Sequence, residues 1–426
     1  MSTHPFVPLR HRAVRLLWGS ALVSDTGTWV QLLVVGTMVA GDTGSAVQTG
    51  LVALATFMPQ GIASPIGGIL ADRYDRRKVF ATALMVQALV TTGLAVALGF
   101  GVRNPFVLTA FILFASAAGA TGAPAYSAMQ PDLVPPEELT AMVSLGVYSW
   151  NGGRIVGPML GAALAVAVGP AWTVGFNAAT FVVLAVAVSL LRRPFRPHGA
   201  PAGTVRSRLA DGWRTMRSTP GCADGVKVLV LMNLFIIPFM GLIPIYATAT
   251  FGGGAALAGT FATAQGIGAI IGGVVITMLS PRIRPSSMVA GVVVAVTAGL
   301  ALYAAAPTAP VAVAAIVILG SCVAGAFVSI TPVVQRHAPD ASRGRVMSIM
   351  QASMGVSYGI GLLAIGTIGD LASMRIGFGI GAVMMVVAFS AFVRIVAGWR
   401  ASFDGDVVVA ERDGLGSARL SPAAGQ

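Results

Sequence analysis

The chain has 426 residues, of which 56% are hydrophobic and 10% charged, with a mean hydropathy of +0.83 and a formal net charge of +12. A soluble core does not need that much apolar surface, and basic residues set between apolar runs answer to lipid headgroups and membrane topology, not to nucleic acid. The two cysteines, Cys222 and Cys322, make neither a disulfide framework nor a metal-spaced set, so no metal or cofactor is expected.

Twelve apolar runs are each long enough to cross roughly 30 Å of hydrocarbon as a helix. In chain order they run about 15–40, 47–71, 79–101, 105–129, 140–169, 171–191, 227–251, 256–280, 286–306, 309–335, 345–370 and 374–398. Residues 1–14 are polar, basic and broken by proline, with no secretory signal, so the first run reads as an uncleaved membrane helix. The expected fold is an all-α membrane protein of two six-helix bundles, 15–191 and 227–398. They are joined by a linker at 192–226 and followed by a tail at 399–426. All Lys and Arg except Arg103, Arg375 and Arg154 fall in the tails, the linker or the loops of one side. That side is expected to be cytoplasmic and to hold both termini. Trp172 and Trp399 stand at span ends, where an interfacial aromatic is expected. The Arg-, Ala-, Val- and Gly-rich composition points to a GC-rich bacterial genome and hence to the bacterial cytoplasmic membrane.

The first span carries Asp25, roughly 15 Å above its cytoplasmic end at 1.5 Å per residue. The fifth carries Arg154, roughly 20 Å above. Both are near the midplane, where an ionisable group pairs or faces water. Two readings stand. They form a static pair (or Asp25 merely faces an aqueous cavity), or Asp25 is a proton carrier that ionises beside Arg154 in one state and is protonated in another.

After the second span comes GGILADRYDRRKV, residues 67–79, in which six of the seven residues from Asp72 to Lys78 are charged. A basic cluster alone is a topological anchor. It does not account for Asp72 or for the spacing from Gly67 and Gly68, small residues that suit close helix packing. The segment resembles motif A of the major facilitator superfamily, with Gly68, Leu70, Ala71, Asp72, Arg73, Arg76 and Arg77 in the matching places and Asp75 where a second glycine is usual. The resemblance implies a cytoplasmic gate. Asp72 would meet the positive end of the eleventh span near Arg345, a contact favourable by about 0.3–1 kcal/mol and present only when the halves close on that side.

The fourth span contains FASAAGATGA, 114–123, which leaves room for a cavity, and lacks the arginine of motif B. In the fifth span Gly153, Gly157 and Gly161 are spaced by four on one face, and Pro158 frees the carbonyl of Arg154. Either this is helix packing alone, or it is motif C of the antiporters, which these residues resemble, with Ser144 and Ala162 replacing two glycines. The eighth span repeats the second: Gly61, Ile62, Ile66, Gly67 and Gly68 recur as Gly266, Ile267, Ile271, Gly272 and Gly273. Two like halves imply a site between them. Residues 15–31, 131–139 and 335–349 resemble the enterobactin-exporter and macrolide-efflux-like branch.

By that resemblance the first, fourth, seventh and tenth spans line the cavity. Trp29, Gln31, Phe114, Tyr126, Asn233, Phe235, Phe239 and Tyr246 lie on such spans and are the substrate candidates. The implied function is secondary active export, by proton antiport with alternating access, of an amphipathic organic small molecule such as a drug, antibiotic, siderophore or secondary metabolite. The partners are the substrate, protons and the bilayer, with the monomer as the working unit. A proton-coupled importer and a non-transporting receptor are the alternatives. No P-loop is present, and no nucleophile, base or metal set lies at one membrane depth, so neither an ATP-driven pump nor an enzyme is expected.

Overall fold

The structure, a computed structural model, describes residue 4 and residues 6–191, 205–339 and 342–405. Helix α1 runs from Arg12 to Thr43. It ends at Gly44, whose φ of 62° is a left-handed position that a side chain would strain. Ser45 caps α2 (Ala46–Phe57), its hydroxyl accepting from the Gln48 amide at 3.2 Å. Pro59 then restarts the chain as α3 (Pro59–Arg73), so the second span has two segments. Asp75 is not an idle replacement for glycine. Its carboxylate accepts from the Arg77 amide at 2.9 Å and caps α4 (Arg76–Gly99). Asn104 caps α5 (Pro105–Met129), which has proline in its first turn. Helices α6 (Leu139–Ala167) and α7 (Gly169–Ser189) meet at Gly169, where φ is 82°.

Residues 192–204 of the expected linker lie outside the described residues, and the remainder is helical. It forms α8 (Val205–Ser218) and the start of α9 (Pro220–Phe235), which begins ahead of the expected 227. Pro238 and Pro244 remove backbone donors, and the seventh span does not continue as one helix. A 3-10 turn at Ile237–Met240, the single turn α10 (Ile243–Ile245) and a π-helical turn at Tyr246–Thr250 follow instead. The remaining helices are α11 (Ala255–Leu279), α12 (Pro285–Ala305), α13 (Ala309–His337), α14 (Arg343–Leu371), α15 (Met374–Ile395) and α16 (Trp399–Asp404).

Among the described residues, ten helical segments are long and apolar enough to cross a membrane, with α2 and α3 counting together. The chain is an all-α, multi-spanning membrane protein. The other two expected spans are α6, whose apolar run is interrupted by Asn151 and Arg154, and the broken segment from α9 onward.

Helices α1 to α7 form one packed group, in which α1 lies on α6 and α7, and α4 on α5 and α7. Helices α9 to α15 form another, in which α11 and α12 lie on α13, and α14 on α9. The groups meet where α6 crosses α11 and where α2 runs along α14. The repeated glycines make corresponding contacts. A Cβ on Gly67 would run into the backbone of Thr121 on α5, and one on Gly272 into that of Ser321 on α13. Gly61 and Gly266 instead face the opposite group, at Ala352 and Ile155. Gly68 has open space around it, so the close packing expected of it is absent.

Both described chain ends lie on one face, called here the tail face. Glu138, at the start of α6, bonds Arg10 and His11. Asp404 of α16 accepts from the Ser286 amide at 2.8 Å and its hydroxyl at 2.6 Å, capping α12. Trp399, expected at an interface, is buried against Phe392 and Phe403. Its whole ring finds apolar partners there, whereas Trp172 is 76% exposed. The tail beyond 405 lies outside the described residues.

Candidate functional site

A cavity lies between the two groups of helices. Helix α1 contributes Trp29, α2 Thr49 and Phe57, α6 Arg154 and Pro158, α11 Ala262 and Gln265, and α14 Tyr358. The broken segment adds Gly241 and Pro244. Its mostly apolar wall, with a few polar groups, suits an organic molecule.

The glycine face of α6 explains how Arg154 gets there. A Cβ on Gly153 would lie 2.8 Å from the Asp25 backbone. One on Gly157 would lie 2.6 Å from Trp29 Cβ and 2.9 Å from the Thr26 carbonyl, and one on Gly161 would lie 3.1 Å from Val30. Without side chains at these positions α6 lies directly on α1. Arg154, next to that face, is then carried toward α11. Its guanidinium carbon lies 5.9 Å from the Trp29 ring centre, and its Nε donates to Gln265 Oε1 at 2.9 Å. Beside this bond the Thr263 hydroxyl donates to the Ile155 carbonyl at 2.9 Å, fixing α11 against α6.

Asp25 and Arg154 do not pair. Ser149 donates its hydroxyl to Asp25 Oδ2 at 2.5 Å, and no ion pair joins Asp25 to any described residue. The reason is helical phase. Five residues separate Ser149 from Arg154, a rotation of roughly 140°, so the side facing Asp25 is not the side facing the cavity.

Of the eight residues expected to line the cavity, Trp29 does so. Gln31 lines a second, smaller cavity within α1 to α7, where it accepts from Asn177 Nδ2 at 2.8 Å. Phe114 is exposed and lines neither cavity. Tyr126 packs on Phe80 at 5.1 Å. Asn233 donates to the Leu229 carbonyl of its own helix, and Phe235 packs against the core of the second group. Phe239 and Tyr246 are wholly buried in that core, and the Tyr246 hydroxyl donates to the Tyr303 carbonyl at 2.7 Å. These aromatics fill an apolar interior around Tyr303, Phe261 and Phe378, because burying whole rings there is worth more than presenting them to a water-accessible space. The cavity takes its aromatic surface from Phe57 and Tyr358 instead. Gln265 was legible as a polar residue within an apolar span. Phe57 and Tyr358 carry no such mark.

The charged cluster after α3 is partly bound. Arg76 donates to the Ala128 carbonyl at 2.9 Å and lies 3.7 Å from Asp132. Arg77 donates to the Leu191 carbonyl at 2.6 Å. Both therefore meet the negative ends of neighbouring helices in their own group. Arg73 lies over the Tyr74 ring at 5.8 Å. Asp72 makes no hydrogen bond or ion pair among the described residues, so the expected contact with the start of α14 is not formed. Helix α8 meets that start instead. A Cβ on Gly212 would lie 3.0 Å from the Arg345 carbonyl, and Arg345 Nη1 lies 3.7 Å from Asp211 Oδ2.

A carboxylate does meet a helix start across the two groups, on the opposite face. Asp370, at the end of α14, accepts from the Ser45 hydroxyl at 2.7 Å, from the Val47 amide at 3.2 Å and from the Ala46 amide. Below it, a Cβ on Gly366 would lie 3.2 Å from the Val47 amide nitrogen. Helices α2 and α14 touch backbone to backbone there, beyond the end of the cavity that Thr49 lines. The described hydrogen bonds between the two groups are these, with Arg154–Gln265 and Thr263–Ile155.

The family described as transmembrane secretion effector matches residues 3–404. The chain is 26% identical over 370 residues to the enterobactin exporter EntS of Escherichia coli O1:K1, covering 85% of this chain and 86% of that one. It is 26% identical over 378 residues to the multidrug efflux pump Tap of Mycolicibacterium fortuitum, covering 85% and 90%. Among solved structures, a bacterial homologue of the lysosomal transporter Spinster superposes with a TM-score of 0.72 at 13% identity, over 92% of this chain and 98% of that one. The nucleoside transporter NupG gives 0.70 at 15% identity, over 90% and 98%.

Proposed function

The chain belongs to the transmembrane secretion effector family of major facilitator transporters, and from that premise we propose that it exports an amphipathic organic small molecule from a bacterial cell by proton antiport. Membership makes it a secondary transporter of small organic molecules across a membrane, and not an enzyme. The finer reading takes α1 to α7 and α9 to α15 as two bundles of six spans with approximate two-fold symmetry. The tail face is cytoplasmic, and the protein works as a monomer in the cytoplasmic membrane. The secretion family and its relatives EntS, an exporter, and Tap, an efflux pump, support the outward direction.

The observation that carries the proposal is the cavity at the junction of the two groups, with Asp370 and the α2–α14 contact holding the groups together on the face away from the tails. We read this as the state closed outside, with substrate admitted from the tail face. Filling the cavity tests the reading. Ala262→Trp should cut efflux from reconstituted vesicles by at least about tenfold, since a large ring then occupies the substrate's space. A folded Ala262→Trp protein exporting at the wild-type rate would sink it. Direction is read from inside-out vesicles: substrate accumulates when the lumen is acidified, and an importer would not show this.

Two carboxylates on opposite faces then alternate. Asp370 holds the outer side now, and Asp72 takes the start of α14 when the inner side closes. Asp370→Asn should raise the reactivity of a Thr49→Cys thiol to a membrane-impermeant reagent from outside by roughly two- to fivefold, the worth of one charge at a helix end. Asp72→Asn should move it the other way. The background replaces Cys222 and Cys322 by serine. Equal reactivity in all three proteins would remove both residues from gating.

A further inference from the structure

Three buried polar atoms without a hydrogen-bond partner belong to residues lining the central cavity: Arg154 Nη2, Gln265 Nε2 and Trp29 Nε1. All three are N–H donors. Among the described residues no Asp or Glu lines the cavity, and Asp25, the carboxylate expected to balance Arg154, is engaged by Ser149. The guanidinium keeps its charge at neutral pH. An unpaired charge at that depth is expensive, and such residues ordinarily have a partner. The Arg154 Nε–Gln265 Oε1 bond uses the only acceptor of the amide side chain, leaving Nη2 and Nε2 as donors from one linked pair. The rest of the wall, with Phe57, Tyr358 and Pro244, is apolar or aromatic.

We infer that the transported substrate is an organic anion, a carboxylate on an apolar body that lies against the aromatic wall, whose oxygens take the free N–H groups of Arg154, Gln265 and Trp29. This rests on the cavity being the transport site. Two acceptor oxygens on one planar group match a guanidinium edge and its amide neighbour. A neutral amphiphile would leave the charge unbalanced, and a cation would set like charges together. A small inorganic anion would satisfy the donors but leave the apolar wall without a partner.

The experiment is calorimetric binding to the purified full-length protein in detergent, with 2-naphthoate, 2-naphthamide, 2-naphthylmethylammonium and inorganic phosphate as probes. Naphthoate should bind at least about tenfold more tightly than the amide, because its charged oxygens complete donors that the amide serves poorly. The ammonium should bind weakest, and phosphate in tenfold excess should not displace naphthoate. Arg154→Gln should bring naphthoate and naphthamide within about twofold of each other, and Arg154→Lys should keep part of the preference, retaining charge but not the planar fork. Equal binding of acid and amide, tighter binding of the ammonium, absence of saturable naphthoate binding, or displacement by phosphate would each overturn the inference. The wild-type series stands whether or not the Arg154 variants fold. Ala262→Trp separates the two failures. If it abolishes probe binding while no preference for the anion is seen, the cavity is the site and its charge selectivity is wrong. If naphthoate binding is unchanged by it, the cavity is not the site.

Discussion

Gly157→Leu is expected to abolish transport. A Cβ there would already stand 2.6 Å from Trp29 Cβ and 2.9 Å from the Thr26 carbonyl, closer than real atoms approach, and the second contact is backbone. Helix α6 would have to lift from α1. Overpacking in an interior costs about 1–3 kcal/mol when side chains can give way, and here the main chain cannot. The lifted helix would carry Arg154 away from Gln265 and Trp29 and open the cavity wall. The expected result is little folded protein, and efflux below detection from whatever is recovered. Gly272→Leu, which collides with the Ser321 backbone, should behave alike. Gly273→Leu, with open space at its Cβ, should fold as the parent does. Size-exclusion profiles of the three variants, with vesicle efflux of any monodisperse fraction, check the set. Normal efflux by a well-folded Gly157→Leu protein would contradict the α1–α6 packing.

Asp25→Asn is expected to stop transport driven by a pH gradient while sparing exchange of substrate across the membrane. The residue is a carboxylate within a membrane helix, and its one described partner is the Ser149 hydroxyl at 2.5 Å. Such a residue in a transporter is a proton-site hypothesis by default. Asparagine keeps the size but has no proton to give or take in the relevant range. Gradient-driven efflux should fall to the level without a gradient, whereas exchange, which needs no net proton movement, should persist. If Asp25 and Arg154 formed a static pair, Arg154→Ala would strand a buried carboxylate and Asp25→Asn would relieve it; the Ser149 contact predicts otherwise. Arg154→Ala leaves the Asp25–Ser149 bond intact, so adding Asp25→Asn to it should not restore folding. Full gradient-driven efflux by Asp25→Asn would leave Asp25 a structural or substrate-contacting residue.

Different parts of the site were legible to different degrees. Arg154 stood out because a charge within an apolar run is rare enough to demand a role, and it lines the cavity. The glycine spacing of the fifth span marked a packing face, and that face is where α6 lies on α1. The pairing of Asp25 with Arg154 came from depth alone. Depth follows from counting residues along a helix, whereas pairing depends on rotation about it, and rotation turned Asp25 toward Ser149. The motif after the second span pointed to Asp72 and gave no hint of Asp370. A single Asp before the AS-Met turn has no pattern around it, and its partners, three residues near Ser45, are more than three hundred positions away.

The class of protein and the run of most of its membrane helices follow from the amino-acid sequence alone. The bilayer makes this readable, because hydrocarbon requires every backbone polar group to be satisfied within the span; a crossing that meets lipid is a long apolar helix, and only one packed among others, as the seventh is, can break. The caps at Ser45, Asp75 and Asn104 are equally local. Which side of each helix faces the cavity is set by packing between distant helices. A helix that is apolar on all sides carries no periodic mark of its inner face, so Tyr246 and Phe239 could be placed on the right span and still belong to the core. Tyr358 and Phe57 face the cavity because the α2–α14 contact and the breaks at Pro238 and Pro244 leave space there, and that space is set by how distant helices pack.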